Sequence, residues 1–230
     1  MKKTFYTEAA YLIGMFMLAL GTAFTAHTDF GVSMVVAPAY ILHLKFYESF
    51  PFLTFGIAEY FLQAIMIIIL VIFMKKFKMA YLFSIVTALI YAVMLDVSMV
   101  LINLLPEGNV LIQIIYYTIG LVVCLAGLSF LFKTYIPLKS YDLFVVEISK
   151  KYKINISVVK TIYDISFLFI SIAMSFAFFG MWQFKGVSIG TIITAIIGGY
   201  LVNIFIKLTD KLFVFKDAFK FRSFFEGKNK

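Results

Sequence analysis

Charge is scarce in this chain. Of 230 residues, 14% are Asp, Glu, Lys or Arg and 63% are hydrophobic, where a soluble globular domain carries about 25% and about 45–50%. That balance excludes a soluble domain and points to an integral membrane protein. Cysteine is almost missing: Cys124 stands alone inside an apolar run. No disulfide framework within one chain and no cysteine-built zinc site can follow. There are two histidines, His27 and His43. His27 with Asp29 supplies too few ligands for a metal, so neither a metal nor a cofactor is expected, and His43 reads as interfacial. The single tryptophan, Trp182, reads as an interface anchor. Catalytic signatures are missing too: there is no Ser–His–Asp order, HExxH helix, phosphate loop or dinucleotide fingerprint. The expectation is a protein that is not an enzyme and does not hydrolyse ATP by itself. The net charge of +8 does not indicate nucleic acid, because the basic residues sit at the ends of apolar segments.

What is present is a series of long apolar runs. A membrane-spanning helix needs roughly 20 apolar residues, and six runs qualify: about Thr7–Ala26, Pro51–Met74, Met79–Leu105, Val110–Phe132, Ile156–Met181 and Val187–Leu208. Two shorter segments follow the first and fourth runs, about residues 33–45 and 140–152. Both are too short to span and are expected to be re-entrant or interfacial helices. Ser33 is a plausible N-cap for the first. The second is more amphipathic, with Leu143, Val146, Glu147 and Lys150 on different faces. Lys2-Lys3 precedes a run that is too long for a signal peptide and lacks a small-residue cleavage site, so the first span is expected to remain as an anchor. A basic, aromatic tail from Lys211 to Lys230 is expected to lie on anionic lipid.

The chain looks built twice from one unit. SIVTALI at Ser84–Ile90 and TIITAII at Thr191–Ile197 share four of seven positions at an offset of 107. Leu20–Phe24 and Ala126–Phe130 echo each other at 106, and Glu59 and Asp164 at 105. The predicted architecture is all-α and polytopic. Residues 1–107 form a first repeat of three spans and a short helix, residues 108–210 a second, and residues 211–230 a cytoplasmic tail. Placing both termini in the cytoplasm puts 18 of the 20 Lys and Arg residues there, leaving only Lys45 and Lys185 outside. Three spans per half then make the repeat inverted.

Inverted repeats offer alternating access to a site near the midplane beside broken helices. The breaks here are Asp29–Ser33 and Ile136–Ser140, and the helix start after each presents unpaired amides to an anion or carboxylate. His27, Asp29, Gly31, Ser33, Pro137 and Ser140 are therefore candidate ligand residues. Charge inside a bilayer is costly and normally faces the bundle interior. Glu59 and Asp96 reach a similar outer depth, and Asp164 and Asn203 a similar inner one, so two stacked polar pairs are expected. These four, with Thr191 and Thr194 on the echoed segment, are the candidate substrate or proton path. Ser84 is the echo of Thr191. Gly186, Gly190, Gly198 and Gly199 give the sixth span a thin face suited to close packing, as do Gly14, Ala19, Gly21, Ala23 and Ala26 in the first.

A Gly-x-Ala-Phe stretch ends the first span, a break and short helix follow, and Leu138–Asp142 and Gly186–Thr191 read LKSYD and GVSIGT. With these features the chain resembles the YczE/YitT/YyaS group of small bacterial membrane proteins over nearly its whole length. The first break departs from the Gly-Pro-Trp type sequence of that group and reads Asp29-Phe30-Gly31-Val32-Ser33. The resemblance implies a transport-related protein of the bacterial inner membrane and names no substrate. The leading expectation is a secondary transporter or permease for a small polar or anionic solute, coupled to protons through Asp96, Asp164 or Glu59. One alternative is the substrate-capture subunit of a vitamin-import complex, docked through Ala19, Ala23 and Ala26. Another is a non-transport accessory protein. The expected partners are the lipid bilayer and a small solute, not nucleic acid. A homodimer or a membrane partner protein is compatible with the sequence.

Overall fold

A computed structural model describes residues 3–28, 30–106, 108–181 and 184–219. Among these are eight helices and two short strands. Strand β1 (Lys3–Tyr6) leads into α1 (Thr7–Ala26). Then come α2 (Ala37–Phe46), α3 (Phe55–Met74), α4 (Met79–Ile102), α5 (Val110–Leu131), α6 (Ser140–Tyr152), α7 (Ile156–Phe179), α8 (Ile189–Leu212) and β2 (Phe213–Lys216). All but α2 and α6 are long and apolar enough to cross a membrane. By length and composition this suggests a multi-pass membrane protein.

Side-chain caps fix several helix starts. Thr54 Oγ1 accepts from the Ile57 amide at 3.2 Å, Asn109 Oδ1 from Ile112 at 3.2 Å, and Asn155 Oδ1 from Ser157 at 2.9 Å. Each satisfies one of the orphan amides at a helix N-terminus. The Thr54 cap starts α3 four residues later than the apolar run at Pro51 predicts. Ser33 is not the cap of α2. Its carbonyl instead accepts from the Val36 and Ala37 amides, closing a turn, and the helix begins at Ala37.

Helix α1 is the central element. Its apolar window is 61% buried, against 39% or less for the other five. Glycines let it run antiparallel to α5 at close range. A Cβ on Gly14 would meet the Gly127 carbonyl at 2.8 Å, and one on Gly127 would meet that of Gly14 at 2.6 Å. Gly21 and Gly120 make the same reciprocal approach. Without a hydrophobic drive between helices in lipid, such small-residue contacts let backbones pack and gain dispersion energy. Ala19, Ala23 and Ala26 are buried as well, so they form no outward docking face.

Most of the remaining packing pairs off across the two halves, the α4–α6 contact excepted. α1 packs on α4 and α5 on α8; α3 on α4 and α7 on α8; α2 on α3 and α6 on α7; α2 on α7 and α6 on α3. The start of the tail also departs from expectation. Phe213–Lys216 pairs in parallel with Lys3–Tyr6, and Glu8 accepts from the Ala218 and Phe219 amides at 3.0 Å each. Its Phe213 and Phe215 pack on Phe5 and Phe130. The two ends of the described chain are thereby clasped together.

Candidate functional site

The two breaks predicted from sequence pack against α8 and α4, the helices that carry the similar segments Thr191–Ile197 and Ser84–Ile90. In the first, Gly31 has φ +82° and lies against α8, where a Cβ would clash with Thr191 Oγ1 and approach the Ser188 amide to 2.9 Å. Only glycine suits both the left-handed backbone and that approach. Thr191 Oγ1 donates to the Val32 carbonyl at 2.8 Å. In the second break, Ser84 Oγ donates to the Leu138 carbonyl at 2.6 Å and Thr87 Oγ1 to the Pro137 carbonyl at 2.9 Å. The echoed hydroxyls therefore satisfy backbone carbonyls that the broken helices leave unpaired. Each break is held by a span from the other half of the chain.

Between the breaks is a cavity of about 90 Å³. It is lined by Thr22 and Thr25 of α1, Ser33–Val36 of the first break, Tyr117 and Cys124 of α5, and Thr194 and Gly198 of α8. Leu18, Leu121, Leu125, Leu128 and Val202 give it an apolar wall. Its charge comes from Lys139, Asp142, Lys160 and Asp164. Lys139 is the N-cap of α6 and only 7% exposed. Its ammonium sits 4.2 Å from the centre of the Tyr91 ring, a cation–π contact, and among the described residues it makes no ion pair. Asp142 lies in the first turn of α6 at 5% exposure, and its Oδ2 has no hydrogen-bond partner. Lys160 and Asp164, one turn apart on α7, pair with each other at 3.2 Å.

The predicted residues divide around this cavity. Ser33, Asp164 and Thr194 line it. Gly31, Thr191 and Pro137 hold its walls. Ser140 donates its amide to Gln63 Oε1 at 3.2 Å, and its buried hydroxyl has no partner. Glu59 is fully buried just outside the lining. It accepts from Gln63 Nε2 at 3.2 Å and from the Tyr141 hydroxyl at 3.3 Å, and Tyr141 itself lines the cavity. Asp96 lies elsewhere. It accepts from Thr54 Oγ1 at 2.7 Å and the Gly56 amide at 2.8 Å, tying α4 to the start of α3. The expected pairs are therefore replaced: Glu59 bonds Gln63 and Tyr141 rather than Asp96, and Asp164 bonds Lys160 rather than the half-buried Asn203. His27 sits at the C-cap of α1 beside Tyr116, away from the lining. His43, on α2, donates from Nδ1 to the Leu53 carbonyl at 3.0 Å. Asp29 and Trp182 lie outside the described residues, as do residues 220–230 of the tail.

Sequence reasoning missed Lys139, Asp142 and Lys160. Counting Lys139 and Lys160 among the cytoplasmic charges hid them, although the i,i+4 spacing of Lys160 and Asp164 signals a pair on one helix face. Lys139 is signalled by its place between Pro137 and the start of α6.

A wider groove of about 950 Å³ lies on the other side of the second break. Residues 132–138 line the groove, whereas Lys139, Tyr141 and Asp142 line the cavity. Helix α6 is fastened beside the groove by the Lys78–Glu147 ion pair and by the Tyr81 hydroxyl, which donates to Glu147 at 3.2 Å.

A family model described as a family of unknown function, DUF6198, matches residues 5–207, and the chain belongs to that family. No curated protein and no solved structure matches it.

Proposed function

We propose that this protein is a permease for a small polar solute, with its site in the cavity between the two broken helices. One observation carries the reading: Lys139 and Asp142 are buried against that cavity, and among the described residues neither forms an ion pair. A buried unpaired charge costs several kcal/mol, and in a membrane protein such residues mark solute or ion paths. The cavity draws on both halves of the chain, which is where transporters of repeated design hold their substrates.

The inverted 3+3 repeat is part of this proposal. The reciprocal Gly14–Gly127 and Gly21–Gly120 contacts support it, because at the offset of 106 Gly14 corresponds to Gly120 and Gly21 to Gly127. A two-fold axis through the α1–α5 crossing maps one contact onto the other. The matched helix pairings and the matched hydroxyl–carbonyl bonds at the breaks support it as well. In this reading α2 and α6 are the re-entrant elements. Helix α6, held by Glu147 between cavity and groove, is the gate. Glu59 is suited to carry a coupling proton, since its hydrogen-bond partners Gln63 and Tyr141 are neutral and Tyr141 links it to the cavity. The resemblance to the YczE/YitT/YyaS group and a location in the bacterial cell membrane with both termini cytoplasmic fit the same reading.

The test is uptake by the full-length protein in proteoliposomes, with a labelled panel of amino acids, small organic acids, amines and polyols. Accumulation or exchange above protein-free vesicles is expected for at least one solute, lost in Asp164→Asn and insensitive to a proton gradient in Glu59→Gln. Folded protein that moves no solute would overturn the permease reading and favour an accessory role.

A further inference from the structure

The charges in the cavity say more than that its solute is polar. Lys160 and Asp164 neutralise each other at 3.2 Å. What remains, among the described residues, is one ammonium without an ion pair, Lys139, which the buried Glu59 reaches only at longer range, and one carboxylate oxygen without a donor, Asp142 Oδ2. Both groups are more than nine-tenths buried and both line the cavity. They project from the same helix start, at the N-cap and the third residue of α6. The cavity proper is therefore balanced in charge but holds an unmet acceptor requirement and an unmet donor requirement. A lone anion would satisfy Lys139 and face Asp142; a lone cation would do the reverse. Either would leave one buried charge unpaired and repel another, a combination that binding sites use to exclude ligands.

We infer that the cavity takes a compact zwitterion of the amino-acid type, its carboxylate on Lys139 and its ammonium on Asp142. This rests on the permease reading of the same site. Size sets a limit: a water takes about 30 Å³ in the liquid, so 90 Å³ holds roughly three waters or one solute of the smallest amino-acid kind. The wall formed by Leu121, Leu125 and Val202 suits a short aliphatic side chain. Glu59 is not among the lining residues, and the Tyr141 hydroxyl donates to it.

The experiment uses matched trios on the purified full chain, read by equilibrium dialysis and thermal shift. They are L-alanine, propionate and ethylamine; L-valine, isovalerate and isobutylamine; and γ-aminobutyrate, butyrate and propylamine. In at least one trio the zwitterion binds, and its acid and amine bind roughly tenfold or more weakly, since each leaves a buried partner unmet. Asp142→Asn makes the cavity net positive and shifts preference to the acid; Lys139→Gln shifts it to the amine. A merely structural role would weaken all three members alike. The wild-type comparison stands by itself should either variant fail to fold. An acid or amine that binds wild type as well as its zwitterion overturns the inference and leaves a permease for a solute of one sign. If none of these compounds binds while proteoliposomes take up another solute, the inference falls and the permease reading survives. If nothing binds and nothing moves, both fall.

Discussion

The two breaks share a scaffold and differ in chemistry. After α1, residues 30–36 carry no charged side chain: Gly31 turns the chain, Val32 offers its carbonyl to Thr191, and Ser33 to Val36 line the cavity with small or apolar groups. After α5, the corresponding stretch ends in Lys139 and opens α6 with Asp142. The acids of the following spans differ in the same way. Glu59 on α3 is enclosed by Gln63 and Tyr141, whereas Asp164 on α7 faces the cavity beside Lys160. Helix packing and the bonds that hold the breaks thus recur in both halves, while buried charge at the lining gathers in the second. On the repeat proposed above, a duplicated frame keeps its packing while one copy specialises, because packing depends on small residues and hydroxyls, and binding depends on charge.

The largest expected effect sharpens that contrast. Asp164→Asn leaves Lys160 buried without its partner, and breaking such a pair costs about 3–5 kcal/mol. Glu59→Gln removes no ion pair and exchanges one hydrogen-bonding group for another, for which about 1 kcal/mol is expected. Denaturant titration in detergent should therefore separate the two acids clearly. Equal losses would mean that Glu59 has a charged partner in the folded protein and that the halves are electrically alike.

The α1–α5 seam tests the shared side of the comparison. Gly21→Leu and Gly127→Leu each push a side chain into the facing backbone, at about 1–3 kcal/mol for overpacking. If the seam is two-fold, the two losses should agree closely, and so should those of Gly14→Leu and Gly120→Leu. A large loss for one member and none for its mate would break the symmetry of the frame.

How much of this was legible in the sequence follows from the kind of signal each part leaves. Six spans and the short α6 were readable to within four residues at each end, since long apolar runs and their polar stops are intrinsic to the chain. The echo of Ser84–Ile90 in Thr191–Ile197 pointed to the right hydroxyls, although they bond the breaks rather than a solute. The site was half legible. Ser33, Asp164 and Thr194 were found because they sit in or beside breaks and spans. Lys139 was not, because a lysine next to an apolar segment is ordinarily a surface charge, and only the fold of α6 against α3, α4 and α7 shows it enclosed. The exchange of partners at Asp96 was equally hidden. Helix depth places Asp96 near Glu59, but rotation about the helix axis, which depth does not give, turns it onto Thr54 and Gly56.

The hydroxyl bonds at the breaks carry the smallest effect and discriminate most finely. Thr191→Val keeps the shape of the side chain and removes the donor to the Val32 carbonyl. Ser84→Ala does the same for the Leu138 carbonyl. Hydrogen bonds between membrane helices are worth about 0.6 kcal/mol on average and up to about 2, so each loss should be modest and the pair similar. Their effect on transport should differ. Ser84 and Thr87 both hold the second break, which carries Lys139, so loosening that break moves a charged group, and Ser84→Ala should weaken solute binding more than it lowers stability. Thr191→Val loosens a break that, among the described residues, brings no charge to the lining, and stability and binding should fall together. Dialysis and denaturant titration on the same two variants give both quantities. A binding loss confined to Thr191→Val would shift the weight of recognition to the first break, against the assignment of Lys139 and Asp142.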